Sequence, residues 1–258
     1  MTFKEAFGGT EGFLRNGRRR NLKTSERIAR DIATYIVDAD LPEGAKLPHE
    51  KEMLEMLGVG RMTLREGLRL LETQGIIDIR SGPQGGPVVR RPQPEDLAGT
   101  LSLLLQSHRA SLADVMLARL ALEPMVAKLA AEHITDDHLA QLQETVDLMR
   151  RHTDSQDIFL RENERFHQLV AEASGSVILR VFSDTLKNIA SGENFGIEYR
   201  PEHRQAVAKA HERILAALRR HRPRDAEKAM WEHLQEAATY WQRRYPELWA
   251  RPVRWVQP

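Results

Sequence analysis

The 258-residue chain carries 38 Lys+Arg against 37 Asp+Glu, a formal net charge of +1, and no cysteine. That balance excludes a uniformly basic nucleic-acid coat. The lack of thiols excludes disulfide scaffolds and thiolate metal sites, and fits a cytoplasmic protein. No apolar run approaches the roughly 18–20 residues that span a bilayer, and Arg18, Arg19 and Arg20 are not followed by the apolar core of a secretory signal. Residues 1–91 hold 16 basic against 13 acidic side chains, and residues 92–258 hold 22 against 24. The mild basic bias of the first third fits a phosphate-facing module and fits a solvated charged surface as well.

Residues 1–23 read as a basic arm, and the triple arginine suits either sequence-independent DNA contact or an inert stretch. Thr24-Ser25-Glu26 can cap a helix that carries Ile28, Ile32, Tyr35 and Ile36 on one face. Leu41-Pro42-Glu43-Gly44 stops it. Leu47-Pro48 leads into a short helix through Leu57, ended by Gly58. A third helix, from about Arg61 to Gln74, buries Leu64, Leu68 and Leu71, and Gly75 closes it. Ile76, Ile77 and Ile79, then Val88-Val89, are β-prone runs flanking the loop Ser81–Pro87, which no helix tolerates. Three helices and a hairpin over residues 24–91 make a winged helix-turn-helix. Arg91-Pro92-Gln93-Pro94 begins a linker over residues 92–96.

The rest reads as six or seven helices near 95–107, 111–133, 136–152, 154–174, 177–190, 202–221 and 224–244, with Ser111, Thr135 and Asp154 as caps. The fold class is mostly α: a small winged α+β module followed by an all-α antiparallel bundle over 97–245 and a tail over 246–258.

In a helix-turn-helix the second helix enters the major groove with its N-terminal residues at the base edges. Arg61 and Arg65 project from one face at that end, and an arginine fork suits guanine O6 and N7. Thr63 is placed to hold a phosphate. Gly60 leaves backbone N–H groups free at a helix start, where phosphate is well received. A helical hairpin with exposed arginines has the same periodicity, and the glycine-tipped hairpin that follows decides for the winged module.

The run Leu41–Pro48, then Glu50-Lys51-Glu52, Gly58-Val59, Arg61, Leu64-Arg65-Glu66 and Leu70-Leu71-Glu72, resembles the winged helix of the GntR family. In its FadR-like branch the position of Lys51 is usually arginine and contacts DNA together with those of Arg61 and Arg65. Lysine keeps the charge without the fork, which implies a phosphate contact. The resemblance further implies a homodimer on an inverted-repeat operator, with Ser81 and Gly82 of the wing in the minor groove.

Ten histidines are present, and three stand out. His167 follows Asn163 by one turn in Asn163-Glu164-Arg165-Phe166-His167. His211 and His233 lie on two helices that Pro223 separates and that can fold back antiparallel. On spacing alone these are either surface residues or the nitrogen ligands of a divalent first-row metal. Residues 97–240 resemble the FCD domain of FadR-like regulators, through Arg119–Pro124 with Leu129-Ala130-Ala131, Asn163 to His167, His211 to Ile214, and His233-Leu234. The resemblance implies a metal held by Asn163, His167, His211 and His233, with zinc first and nickel or manganese as substitutes. Asn163 stands where aspartate is usual, leaving the site one negative charge poorer.

Arg119 matches an arginine that faces the effector in this family. A metal beside a guanidinium traps carboxylates, so the implied effector is a small organic acid: a hydroxy acid, sugar acid or dicarboxylate. The competing class is a helical-bundle metalloenzyme acting on a small carboxylate. Only one Glu-x-x-His spacing is present, Glu164 to His167, where di-iron bundles need two.

Overall fold

The computed structural model describes residues 2–7, 23–82, 85–191 and 196–255. The chain divides into two compact units, Met1–Asp96 and Leu97–Pro258.

The first unit holds α1 (Phe3–Phe7), α2 (Thr24–Asp38), α3 (Glu50–Leu57), α4 (Arg61–Thr73), β1 (Ile77–Arg80) and β2 (Gly86–Val89). Its core joins Ile28 and Ile32 of α2, Met53 and Leu57 of α3, Leu64, Leu68 and Leu71 of α4, and Ile77 of β1. These are the positions that helical spacing selects. α3 ends on Gly58 in the left-handed region, φ 61°, a conformation that costs glycine little. α2 lies so close to α4 that a Cβ on Gly67 would meet the Ser25 carbonyl at 3.0 Å and Ile28 Cγ2 at 3.2 Å.

β1 and β2 pair antiparallel from Ile77↔Val89 to Arg80↔Gly86. The wing loop is therefore shorter than its composition suggests, because Gly86 and Pro87 belong to β2. The outer edge of β2 meets residues 44–47, where the Leu47 N–H donates to the Pro87 carbonyl at 3.0 Å and the Val89 N–H to the Ala45 carbonyl at 2.8 Å, so Pro87 takes part there as an acceptor and needs no N–H for that bond. Part of the basic arm is also structured. Phe3 and Phe7 are buried, and both rings meet Tyr35 edge-on at 5.0 and 5.8 Å. Arg18–Arg20 lie outside the described residues.

The linker is shorter than expected too, since Pro94 opens α5 (Pro94–Ser107), a position where its missing N–H costs nothing. The second unit continues with α6 (Leu112–His133), α7 (Asp136–Arg151), α8 (Gln156–Ala173), α9 (Val177–Ile189), α10 (Pro201–Arg219), α11 (Pro223–Arg244) and α12 (Pro246–Trp249). Ser111 and Thr135 cap α6 and α7 as expected. α8 is capped by Ser155, whose side chain accepts from the Ile158 N–H, one residue beyond the expected Asp154. α6 packs on α8, α9, α10 and α11, while α7 packs on α8 and α10. The tail expected after residue 245 is not loose: Val253 is buried, and its N–H donates to the Ala110 carbonyl at 2.8 Å.

Two apolar clusters fill this unit. One holds Val126 and Ala130 of α6, Phe166 and Val170 of α8, Ile214 and Leu218 of α10, and Met230 and Leu234 of α11. The other holds Leu112 and Met116 of α6, Phe159 of α8, Val207 and Ala208 of α10, and Ala238 and Trp241 of α11. Between them, on the same four helices, lie the buried polar residues Arg119, Glu123, Glu162, His167, His211 and His233. A polar layer inside an apolar bundle is costly unless its groups are paired or hold a ligand.

Candidate metal centre and DNA-reading helix

The fold brings His167, His211 and His233 together from α8, α10 and α11, each able to present one ring nitrogen within 4.8 Å of the others. Nε2 of His167 and Nε2 of His233 are 3.3 Å apart. Two nitrogens bound to one tetrahedral zinc at about 2.0–2.1 Å would lie about 3.3 Å from each other. His211 is fully buried, and its ring stacks on Phe166 with centroids 3.9 Å apart and planes at 10°. Neither of its ring nitrogens has a hydrogen-bond partner among the described residues. An orphaned buried imidazole is expensive in a folded core, and a metal ligand is one role that accounts for it.

Electrostatics keep these rings in the ligating state. Burial, reinforced by the neighbouring imidazoles, holds His211 and His233 well below the ordinary imidazole value. His167 is lowered as well, burial outweighing the pull of Glu123. A neutral imidazole offers a lone pair where a cation would offer none.

Behind His167 stands a residue whose role the sequence reading left unassigned. Glu123 Oε2 lies 2.8 Å from His167 Nδ1, and Glu123 Oε1 accepts from Arg119 Nε at 2.6 Å. Burial works against the ionised carboxyl, but Arg119 and His167 together outweigh it and hold Glu123 well below the usual carboxylate range. A carboxylate at Nδ1 fixes the ring so that Nε2 faces the other histidines. The sequence does carry a sign of this pair, since Arg119 and Glu123 are one turn apart in an otherwise apolar stretch.

Arg119, the expected effector contact, lies in the layer and is tied to Glu123 rather than standing free. Asn163, the expected oxygen ligand, lies one turn before His167 on α8 and is half-buried.

In the winged unit, α4 presents Arg61 and Arg65 to solvent, with 69% and 58% of their side chains exposed. Glu50, in the first turn of α3, holds both: its carboxylate is 3.4 Å from Arg61 Nε and 3.1 Å from Arg65 Nε. The two expected base readers therefore share one acidic brace. Lys51 is exposed beside it, Thr63 is half-buried, and Ser81 and Gly82 are exposed at the wing. Gly60 precedes α4 with no side-chain cap on the helix N–H groups.

A winged helix-turn-helix unit and a helical unit built round an interior imidazole cluster are the two parts of a DNA-binding transcriptional regulator. Residues 24–84 match the model of the bacterial regulatory proteins of the gntR family, and residues 114–236 match the FCD domain. The chain is 30% identical over 224 residues to the HTH-type transcriptional repressor NanR of Escherichia coli (strain K12), covering 85% of this chain and 84% of that protein. NanR of Edwardsiella tarda (strain FL6-60) is 30% identical over 234 residues, covering 88% and 89%. A solved structure of a Streptococcus agalactiae GntR is 29% identical, with a TM-score of 0.61, and covers 83% of this chain and 98% of that one. The chain belongs to the GntR family of DNA-binding transcriptional regulators and carries an FCD domain. The metalloenzyme alternative falls with that assignment, since these relatives are regulators of transcription. Among the described residues no helix is long and apolar enough to cross a membrane.

Proposed function

We propose that the protein is a homodimeric repressor that binds an inverted-repeat operator and is controlled by a small organic acid. The acid is bound at a metal held by His167, His211 and His233, with Asn163 as the oxygen ligand. The observation that carries this reading is the set of buried imidazoles converging from three helices, one of them with no hydrogen-bond partner for its ring nitrogens among the described residues. Zinc suits three nitrogens and one neutral oxygen, and nickel and manganese are the alternatives. When bound, the metal supplies a fixed positive charge that draws an anion into the layer.

The chain's own residues do the rest. Arg119 adds a guanidinium to the same layer, and Glu123 couples it to His167. Asn163 in place of a carboxylate leaves more net positive charge for the effector to neutralise. In the winged unit Arg61 and Arg65 read bases, while Lys51 and Thr63 hold phosphates. Ser81 and Gly82 reach the minor groove. Effector binding shifts the population between DNA-competent and DNA-incompetent arrangements of the dimer.

The test is a binding titration on DNA selected from a random pool by the zinc-loaded protein, with and without a panel of hydroxy acids, sugar acids and dicarboxylates. At least one acid changes operator affinity tenfold or more, by about 1.4 kcal/mol, and chelation abolishes that effect. Operator affinity indifferent to every acid, or an acid response that survives chelation and His211→Ala, would contradict the reading.

A further inference from the structure

Three basic side chains are buried in the helical unit among the described residues: Arg119, Lys187 and Arg204. Two have a carboxylate of their own. Arg119 Nε is 2.6 Å from Glu123, and Lys187 Nζ is 2.9 Å from Asp184. Arg204 has none. The residue is 7% exposed, and its Nε and Nη1 are buried without a hydrogen-bond partner among the described residues. Arginine stays charged in any protein environment. Guanidinium nitrogens buried with no carboxylate beside them among the described residues are an unfavourable arrangement for a core. Leucine or methionine at this position would remove that cost, so the charge points to an anion that arrives after folding.

The position of Arg204 indicates which anion. Arg204, Val207, Ala208 and His211 form one buried face of α10. Arg204 therefore lies two turns from the imidazole layer on the same side of the helix, about 10 Å along the axis. Between them on this face lie only the apolar side chains of Val207 and Ala208, neither of which offers a charge to either end. A metal held by the three imidazoles would supply positive charge at one end of this face, where Arg119 is already paired with Glu123, and the Arg204 guanidinium supplies it at the other.

We propose that Arg204 is a second anion anchor of the effector site, and that the effector is a diacid. One carboxylate reaches the imidazole layer, and a second acidic group, carboxylate or phosphate, meets Arg204. This rests on the metal-and-carboxylate reading above and narrows it from small acids in general to acids charged at two separated points.

The experiment is calorimetric titration of the zinc-loaded full chain with the monoacids butyrate and hexanoate, the diacids succinate, glutarate and adipate, and 3-phosphonopropionate. The wild type binds at least one diacid about tenfold or more tightly than the monoacid of similar length. Arg204→Met erases that preference, while monoacid affinity and zinc content stay as in the wild type. Arg204→Lys keeps part of the preference. Ligand-free Arg204→Met melts at or above the wild-type temperature, because an unpaired buried charge has been removed. Stronger binding of 3-phosphonopropionate than of the dicarboxylates assigns a phosphate to Arg204, and the reverse order assigns a carboxylate.

Three results overturn the proposal: no diacid preference in the wild type, a preference that survives Arg204→Met, or a ligand-free Arg204→Met that melts several degrees lower. The last would mark the guanidinium as structural. If monoacids bind and a second charge adds nothing, the diacid proposal fails and the metal reading stands. If no acid binds the zinc-loaded wild type, both fail together.

Discussion

The cluster's chemistry depends on single atoms. His167 can present Nε2 to a metal only while Nδ1 is engaged elsewhere, and Glu123 is 2.8 Å from that nitrogen. Glu123→Gln should therefore weaken metal binding by about 10–100-fold without removing a ligand, a change that competition with a chromogenic chelator measures. The imidazoles also make stability depend on pH. Their folded-state values lie below the ordinary 6.5, so between folded and unfolded values the unfolded chain binds more protons. Metal-free protein is then fully stable above about pH 6.5 and loses stability as pH falls. His211→Leu should flatten that slope by one proton, up to about 1.4 kcal/mol per pH unit, as urea unfolding at a series of pH values would show. The three histidines were legible in the sequence only through the family pattern, because spacing alone does not separate a ligand from a surface residue. Arg204 was not legible at all: its significance is that Nε and Nη1 are buried without a hydrogen-bond partner among the described residues, which is a fact of three dimensions.

Among the elements, α4 faces two ways. Its outer face carries Arg61 and Arg65, and loss of either should cost about 1–3 kcal/mol of operator discrimination. Mobility shifts on matched and mutated operators would detect it, and sequence-selective binding that survives both Arg61→Ala and Arg65→Ala would overturn the assignment. Its inner face is packed on α2 through Gly67, where a Cβ would already crowd Ser25 and Ile28. Gly67→Leu should destabilise the winged unit by about 1–3 kcal/mol through overpacking, visible in its denaturation midpoint. Helix periodicity made α2, α3 and α4 and nearly every helix of the bundle legible, since apolar spacing alone places their buried faces. The ends were less so. Ser155 rather than Asp154 caps α8, and Gly86 and Pro87 belong to β2, because caps and hairpin register are decided by hydrogen bonds that residue type does not specify. The brace that Glu50 forms on both arginines was equally hidden, as it joins two helices across a turn.

At the scale of the molecule, the helical unit is two apolar cores separated by a polar layer, and the layer is where the fold is least content without a ligand. The division of the chain into a winged unit and a helical unit was plain from the change of character near residue 92. The layering was not, because it appears only when α6, α8, α10 and α11 are aligned side by side. The role we propose for this layer is to hold a metal. The most direct measurement is elemental analysis of protein purified without chelators, comparing wild type with His167→Ala and His211→Ala. We predict about one equivalent of zinc, nickel or manganese per wild-type chain, lost in both variants that still show the helical content of the wild type. A wild-type chain without metal, or variants that retain it in full, would contradict the claim.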